Sequence, residues 1–429
     1  MGKNYQVIVA GGGWAGVAAA IAAGRQGAKT LLIEKSGFLG GSSGNHLVNP
    51  FMPNKVTVDG VTTQLSQGLF TEICARMAEL GGFHPKHKAT YNEEILKLVL
   101  DRMTAEAGVK VLFHSYICGV KTEGGKIRSI SCVNKSGTQT FTADCFVDAT
   151  GDADVAAMAG CPCRVGRKED GLCQPMTLCF RLGNVDVPTV FANSEKINAL
   201  YAEFRKAGKI KNPRENVLKF HHVDDNVLHL NSTRVIKRCP VDAWDVSEAE
   251  REAREQMFEL YTFLKENCAG FENAVLLSSA PAIGARESRM IDGHYILTVE
   301  DLKSCTIFKD RIAACNYDID IHNPAGSGTD HYYFKDNEYY TIPYRALIPQ
   351  KIDNLLVAGR CISSTHEAQA SYRIMPVCCT LGEAAGVAAA MAAKEGAATD
   401  AVDVAELQRI LRENGAFLGF DADAARERL

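Results

Sequence analysis

Tyr5-Gln6-Val7-Ile8-Val9-Ala10-Gly11-Gly12-Gly13-Trp14-Ala15-Gly16 reads as a short buried strand that runs into G-x-G-x-x-G and opens a helix. Gly11 permits the tight turn, Gly13 lets the backbone come close to a pyrophosphate, and Gly16 lets the helix pack on the strand. Free N–H groups and the dipole of the helix through Val17 to Gly24 then face the phosphate charge. A second strand, Lys29 to Ile33, delivers Glu34 at its carboxyl end, where a ribose diol belongs, with Lys35 next. A lone glycine turn is a weak signal, but strand, turn, alanine-rich helix, strand and terminal carboxylate in one run predict a bound adenine dinucleotide. The same turn holds FAD and NAD, so the motif alone does not choose between them.

Composition fits an enzyme of this kind. With 429 residues the chain can bury a large core in two or more domains. A net charge of -4 and a pI near 6.3 leave no footprint for nucleic acid. No uninterrupted apolar run is long enough for a membrane span, and Met1-Gly2-Lys3-Asn4 leads straight into the first strand. The expectation is a cytoplasmic protein with a small-molecule substrate; a homo-oligomer is left open. None of the fifteen cysteines has C-x-x-C spacing, which counts against zinc, iron–sulfur ligation and a thioredoxin-like pair. Reduced, packing thiols are the default, and no metal is expected.

Lys35 to Asn45 is too rich in glycine and serine for regular structure, and its donors could continue along the diphosphate toward a flat ring. A plain flexible loop is the alternative. His46 lies just beyond and admits covalent attachment of a flavin, although an ordinary polar histidine needs no such role. Helical spacing marks Gln64 to Glu79 and Asn92 to Ala107. Strands are expected at Val109–Phe113, Tyr116–Thr122, Lys126–Asn134 and Gln139–Phe141. Asp144 to Asp154 is a strand that ends on a glycine turn, which marks a return to the first sheet. From Gly160 to about Tyr340 no second G-x-G-x-x-G unit occurs, so this region suits a substrate domain. Asn354 to Arg360 is another buried strand with a glycine turn. After Cys361 to Pro376, a helix rich in small residues begins near Val377, and its Ala and Gly would let a backbone approach a flat ligand.

Four blocks together resemble the FAD-dependent oxidoreductase family of the glutathione-reductase-type flavoproteins, near its fumarate-reductase-like branch. They are Val9 to Gly16, Phe146 to Asp154, Ile283 to Arg289 and Asn354 to Gly386. The resemblance implies an α/β fold: a discontinuous Rossmann-like FAD-binding domain, residues 1–160 and 341–429, with an inserted α+β substrate domain, residues 161–340. It further implies FAD, with Gly11, Gly13, Trp14, Ala15 and Gly16 at the diphosphate and Glu34 and Lys35 at the ribose. Gly40, Gly41 and Ser42 would approach the flavin, Ile117 and Cys118 would present backbone to adenine, and Thr150, Gly151 and Asp152 would close over the cofactor. Gly359 and Arg360 would follow the ribityl chain. The last helix, from Pro376 through Gly382, would aim its dipole at the ring. Gly359-Arg360 stands where many flavoproteins carry Gly-Asp, which disfavours aromatic hydroxylases; disulfide reductases lack support because no paired redox cysteines are evident.

A flavin dehydrogenase needs a group to move a proton and a cation to hold an oxygen anion. His366, Glu367 and Arg373 lie between the flavin strand and the flavin helix, so they are the first candidates, with His366 as base and Arg373 as the anion holder. Arg286 and Arg289, with Tyr344 and Arg345, are the second; a structural ion-pair cluster is the competing reading of Arg286, Glu287 and Arg289. His322 reads as structural. The expected activity is hydride transfer between flavin and a small polar substrate. An electron-transfer or RNA-modifying subunit and a non-catalytic dinucleotide-binding module are the alternatives.

Overall fold

The structure is a computed structural model that describes residues 4–420, 423, 427 and 428. Met1 to Lys3, part of the lead-in to the first strand, lie outside the described residues. At the centre is a seven-stranded sheet. Its parallel part runs Lys110–Leu112, Thr30–Ile33, Asn4–Ala10, Gly137–Asp148 and Leu355–Val357. Leu355 to Val357 lie in parallel register beside Phe146 to Asp148, and those residues lie beside Ile8 to Ala10. The late strand is therefore one strand removed from the first.

Period-two alternation sorts the side chains of this sheet into two cores. Val7, Val9, Leu32, Val147 and Leu356 face helices, while Ile8, Ala10, Leu31, Phe146 and Val357 face the opposite side. On the helical side lie Trp14–Arg25 and the long Met375–Glu395. On the other side Ile127, Ile130 and Phe141 close the core from an antiparallel meander, Tyr116–Glu123, Lys126–Asn134 and Gly137–Asp148. Residues 139–141 and 144–148, expected as separate strands, form one twelve-residue strand. Its first half pairs with the meander and its second half with the parallel sheet, so nothing interrupts the pleat between them.

A second core gathers Met176 to Ile283. It lies under a four-stranded antiparallel sheet, in the order Lys219–His221, Leu228–Leu230, Phe180–Gly183 and Val275–Ser279. Ala243–Asn267 supplies Ala249, Ala253, Leu260 and Leu264 to this core, and its start is capped by Asp242 through the N–H groups of Trp244 and Asp245. Leu297 to Ile348 pack instead with the first core, so the second core ends well before the boundary expected near residue 340. Met375–Glu395 is long and apolar enough to cross a membrane, yet its residues Met375 to Ala392 are buried inside the protein. A small-residue surface explains how: a Cβ at Gly382 or Gly386 would overlap the carbonyl oxygen of Ala15 or Ala19, so the two glycines let the helices touch backbone to backbone.

Candidate functional site

One cavity of about 810 Å³ runs from the first glycine turn to the second core. Gly11, at φ +94°, turns the chain over Ala149 and Thr150. The helix then opens at Trp14 behind Gly13 with no side-chain cap and no acidic residue in its first turn, so its N–H groups and dipole are free for an anion. A Cβ at Gly13 would meet only Gly41 Cα at 3.9 Å, which leaves this backbone open to the cavity. Gly40 donates its N–H to Gly12 O at 2.9 Å, and the Trp14 indole N–H reaches Ser43 Oγ at 2.9 Å. These bonds lock the second glycine loop beside the first. The long helix also starts without a side-chain cap or an early acid, and Ile374, Met375 and Cys378 bring that start to the same cavity. Two bare helix starts and two apposed glycine loops on one elongated cavity fit the diphosphate and the flavin ring of FAD.

Glu34 lines this cavity, but its carboxylate is also part of the frame. It accepts the N–H of Gly12 at 2.5 Å and of Ser36 at 2.7 Å. Asp148 plays the same role two strands over, accepting from Thr150 N, Thr150 Oγ1 and Ala156 N; burial nonetheless pushes its carboxyl up to about 6. Arg360 lies across the cavity and binds Gly151 O at 2.8 Å, Ala285 O at 2.5 Å and Asp152 at 2.5 Å. Asp152 also accepts from Ser288 Oγ at 2.6 Å. The arginine found in place of an aspartate thus tethers the cofactor turn to the Ala285–Ser288 segment. His46 lines the same cavity, and burial, then the charges of Arg360 and Lys35, bring it down to about 3; it is a neutral imidazole.

At the far end Arg214, Arg286, Asp320, His322, His331 and Arg373 line the wall. The hairpin of Ile319–His322 and Thr329–Tyr332 carries three of them. His322 Nδ1 lies 3.0 Å from Arg234 Nη2, which can only donate, so its proton is on Nε2, 3.2 Å from Asp320 Oδ2. Burial, then the charge of Arg286, holds this imidazole well below its ordinary value. Asp320 is held far below the usual carboxylate range: burial alone would raise it, but His322, Arg373 and Arg286 outweigh burial. His331 Nδ1 is 2.6 Å from Asp318 Oδ2, and its Nε2 is 3.7 Å from Asp320 Oδ1.

Most of the residues expected at the cofactor line the cavity: Gly11, Gly13, Trp14 and Ala15, then Glu34, Lys35, Gly41 and Ser42, then Ile117, Thr150 to Asp152, Gly359 and Arg360. Gly16 packs on Gly11 behind the turn. Gly40 and Pro376 shape the backbone without facing the cavity, and Cys118 points to solvent. Gly382 needs correcting: its missing side chain serves the contact with Ala15, not a ligand. The catalytic expectations need more. Cys361 to Pro376 contains a helix, His366–Tyr372, capped by Thr365. That helix turns His366 away from the cavity to meet Glu287 Oε1 at 2.7 Å, and Glu287 in turn accepts Gln174 N at 2.8 Å. Glu367, half-buried in the first turn of the same helix, does not line the cavity either. Arg289 binds Asp154 at 2.8 Å behind the cofactor turn. Tyr344 and Arg345 are taken by Thr399 O and Asp310. Of His366, Glu367, Arg373 and Arg289, only Arg373 faces the cavity; Arg286, among the second candidates, does as well. Arg214 and His331 carried no sequence signal, because Arg214 stands in an irregular stretch and His331 on a short hairpin strand, each far from any motif.

Among curated proteins, none matches this chain in sequence. Solved structures similar to it include p-nitrophenol 4-monooxygenase from Pseudomonas putida, at 10% identity over 99% of this chain and 92% of that one, with a TM-score of 0.47. Another is a geranylgeranyl bacteriochlorophyll reductase-like protein from Thermoplasma acidophilum, at 13% identity over 96% and 84%, with a TM-score of 0.46. A third is the myxobacterial chondrochloren halogenase, at 14% identity over 100% and 86%, with a TM-score of 0.45. Residues 6–411 match the family described as FAD dependent oxidoreductase, and with its glycine turn, Glu34 and continuous cavity the chain belongs to that family as an FAD-dependent enzyme.

Proposed function

We propose that this enzyme moves a hydride between FAD and a small polar substrate bound between Arg286, Arg373 and Asp320. The observation that carries this reading is the continuity of one cavity from Gly11 and Glu34 to those three residues. When bound, FAD supplies the hydride acceptor or donor. The chain supplies the rest. The bare start of Met375–Glu395 favours negative charge where it meets the cavity, and Arg373 brings a guanidinium to the substrate end. His331 is the residue that moves the proton. Asp318 holds its Nδ1, and its Nε2 has only Asp320 Oδ1 near it, at 3.7 Å, whereas His322 is fixed by Arg234 on one side and Asp320 on the other. His366 does not line the cavity.

The test is an anaerobic screen of flavin-loaded protein against pooled metabolites and against NADH and NADPH, followed by absorbance. Bleaching by one pool and reoxidation by another define substrate and direction. Flavin-loaded protein whose absorbance responds to neither metabolites nor nicotinamides would count against an oxidoreductase of small molecules.

A further inference from the structure

At the substrate end of the cavity the charges do not balance. Arg214, Arg286 and Arg373 line it with Glu215 and Asp320. Both carboxylates are engaged, Glu215 with Arg234 at 3.5 Å and Asp320 with His322 Nε2 at 3.2 Å. Arg286 rests only on neutral oxygens: Pro175 O at 2.7 Å, Thr177 Oγ1, and Asn231 Oδ1 at 3.3 Å. No carboxylate among the described residues pairs with it. Arg373 reaches Asp320 O at 3.1 Å and, at 3.5 Å, Asp320 Oδ2 and Gln174 Oε1. Its Nε is buried without a hydrogen-bond partner. A guanidinium donor shut away from water and left unpaired is costly, and so are two guanidiniums that feel each other when the one nearby acid, Asp320, reaches Arg373 only at 3.5 Å and makes no ion pair with Arg286. Burial, then the charge of Arg373, accordingly brings Arg286 down to about 9.

We propose that Arg286 and Arg373 form a two-pronged receptor for a carboxylate of the substrate, so that the small polar substrate is an organic acid. The assignment rests on the reading of this cavity as the substrate site. A planar anion with two oxygens satisfies a guanidinium fork directly, whereas an alcohol or amide supplies no charge to offset either cation. Asp320 cannot fill that role from within, because its Oδ2 already serves His322 and stands at the long distance from Arg373. Arg214, whose Nε is occupied by Asn216 at 3.0 Å, adds positive potential at the same wall.

The experiment compares acids with their neutral counterparts on the flavin-loaded protein: glycolate, L-lactate, malonate and succinate against glycolamide, lactamide, malonamide and succinamide, with inorganic phosphate alongside. Affinity is read by calorimetry and by perturbation of the flavin spectrum, without turnover. At least one acid is expected to bind about tenfold or more tightly than its amide, and Arg286→Gln or Arg373→Lys to remove that preference. Arg373→Lys keeps the charge and loses the fork, and the acid–amide comparison on the unmodified protein decides the matter if Arg286→Gln does not fold. Equal binding of acids and amides, binding of neither, or tighter binding of phosphate than of every acid overturns the receptor. A chain that takes up no flavin yet still prefers acids would sink the oxidoreductase reading and leave the receptor standing.

Discussion

A side chain at Gly13 would meet only Gly41 Cα at 3.9 Å, while one at Gly16 would overlap the Gly11 carbonyl oxygen. The two glycines of one motif therefore answer to different constraints, ligand and fold. Gly13→Val is expected to fold normally and lose FAD, seen as a low flavin-to-protein absorbance ratio with an unchanged denaturation midpoint for the apoprotein. Gly16→Val should cost about 1–3 kcal/mol or more in stability, because backbone must move to admit it. His366 belongs on the stability side as well. His366→Ala leaves the buried Glu287 one hydrogen-bond partner short, at a cost of about 1–3 kcal/mol. Flavin reduction per bound flavin should stay near normal, and a rate lost in step with a stable, flavin-replete variant would return His366 to the catalytic list. A third expectation concerns Glu383, which caps the Leu69–Glu79 helix by accepting Leu69 N at 3.0 Å and whose burial lifts it from 4.5 to about 7. Between those two values the folded protein holds a proton that the unfolded chain has released, so stability falls as pH rises through that window, by up to about 3 kcal/mol. Chemical denaturation at pH 5 and pH 8 should show this fall in the parent and its loss in Glu383→Gln. Side chains with a spacing rule, such as Gly11, Gly13 and Glu34, were legible in the sequence. The partner of His366 was not, because Glu287 reaches it only through tertiary folding.

At the scale of elements, periodicity located the first strand, the meander and the long helices, since alternation and helical spacing are local properties of the chain. It missed the His366–Tyr372 helix, whose face is buried on nearly every side and so lacks an amphipathic pattern. It also assigned the small residues of Met375–Glu395 to a ligand, when Gly382 and Gly386 serve Ala15 and Ala19 on the amino-terminal helix. A run of Ala and Gly announces close approach without saying to what. Gly386→Leu should therefore push the two helices apart. A loss of stability of about 1–3 kcal/mol is expected together with weaker FAD retention, because both helix starts that face the cavity belong to this pair. Full retention of FAD in this variant would separate the packing of the helices from the cofactor site.

For the whole molecule, the cofactor end of the site was legible, and of the substrate end only Arg286 and Arg373 were. The former is built from contiguous motifs, the latter from Arg214, Arg286, Asp320, His331 and Arg373, brought together by two cores and a hairpin. The sheet that joins these regions has a consequence for biosynthesis. Its last parallel strand and the helix that follows arrive some 350 residues after the glycine turn they help to enclose. A nascent chain emerging from the ribosome thus exposes one edge of the Gly137–Asp148 strand, and the apolar face of the first helix, until Leu355–Val357 and Met375–Glu395 have been made. Vitamin supply then acts late: flavin captures a chain that is nearly complete, and riboflavin starvation should leave full-length apoprotein rather than stalled fragments.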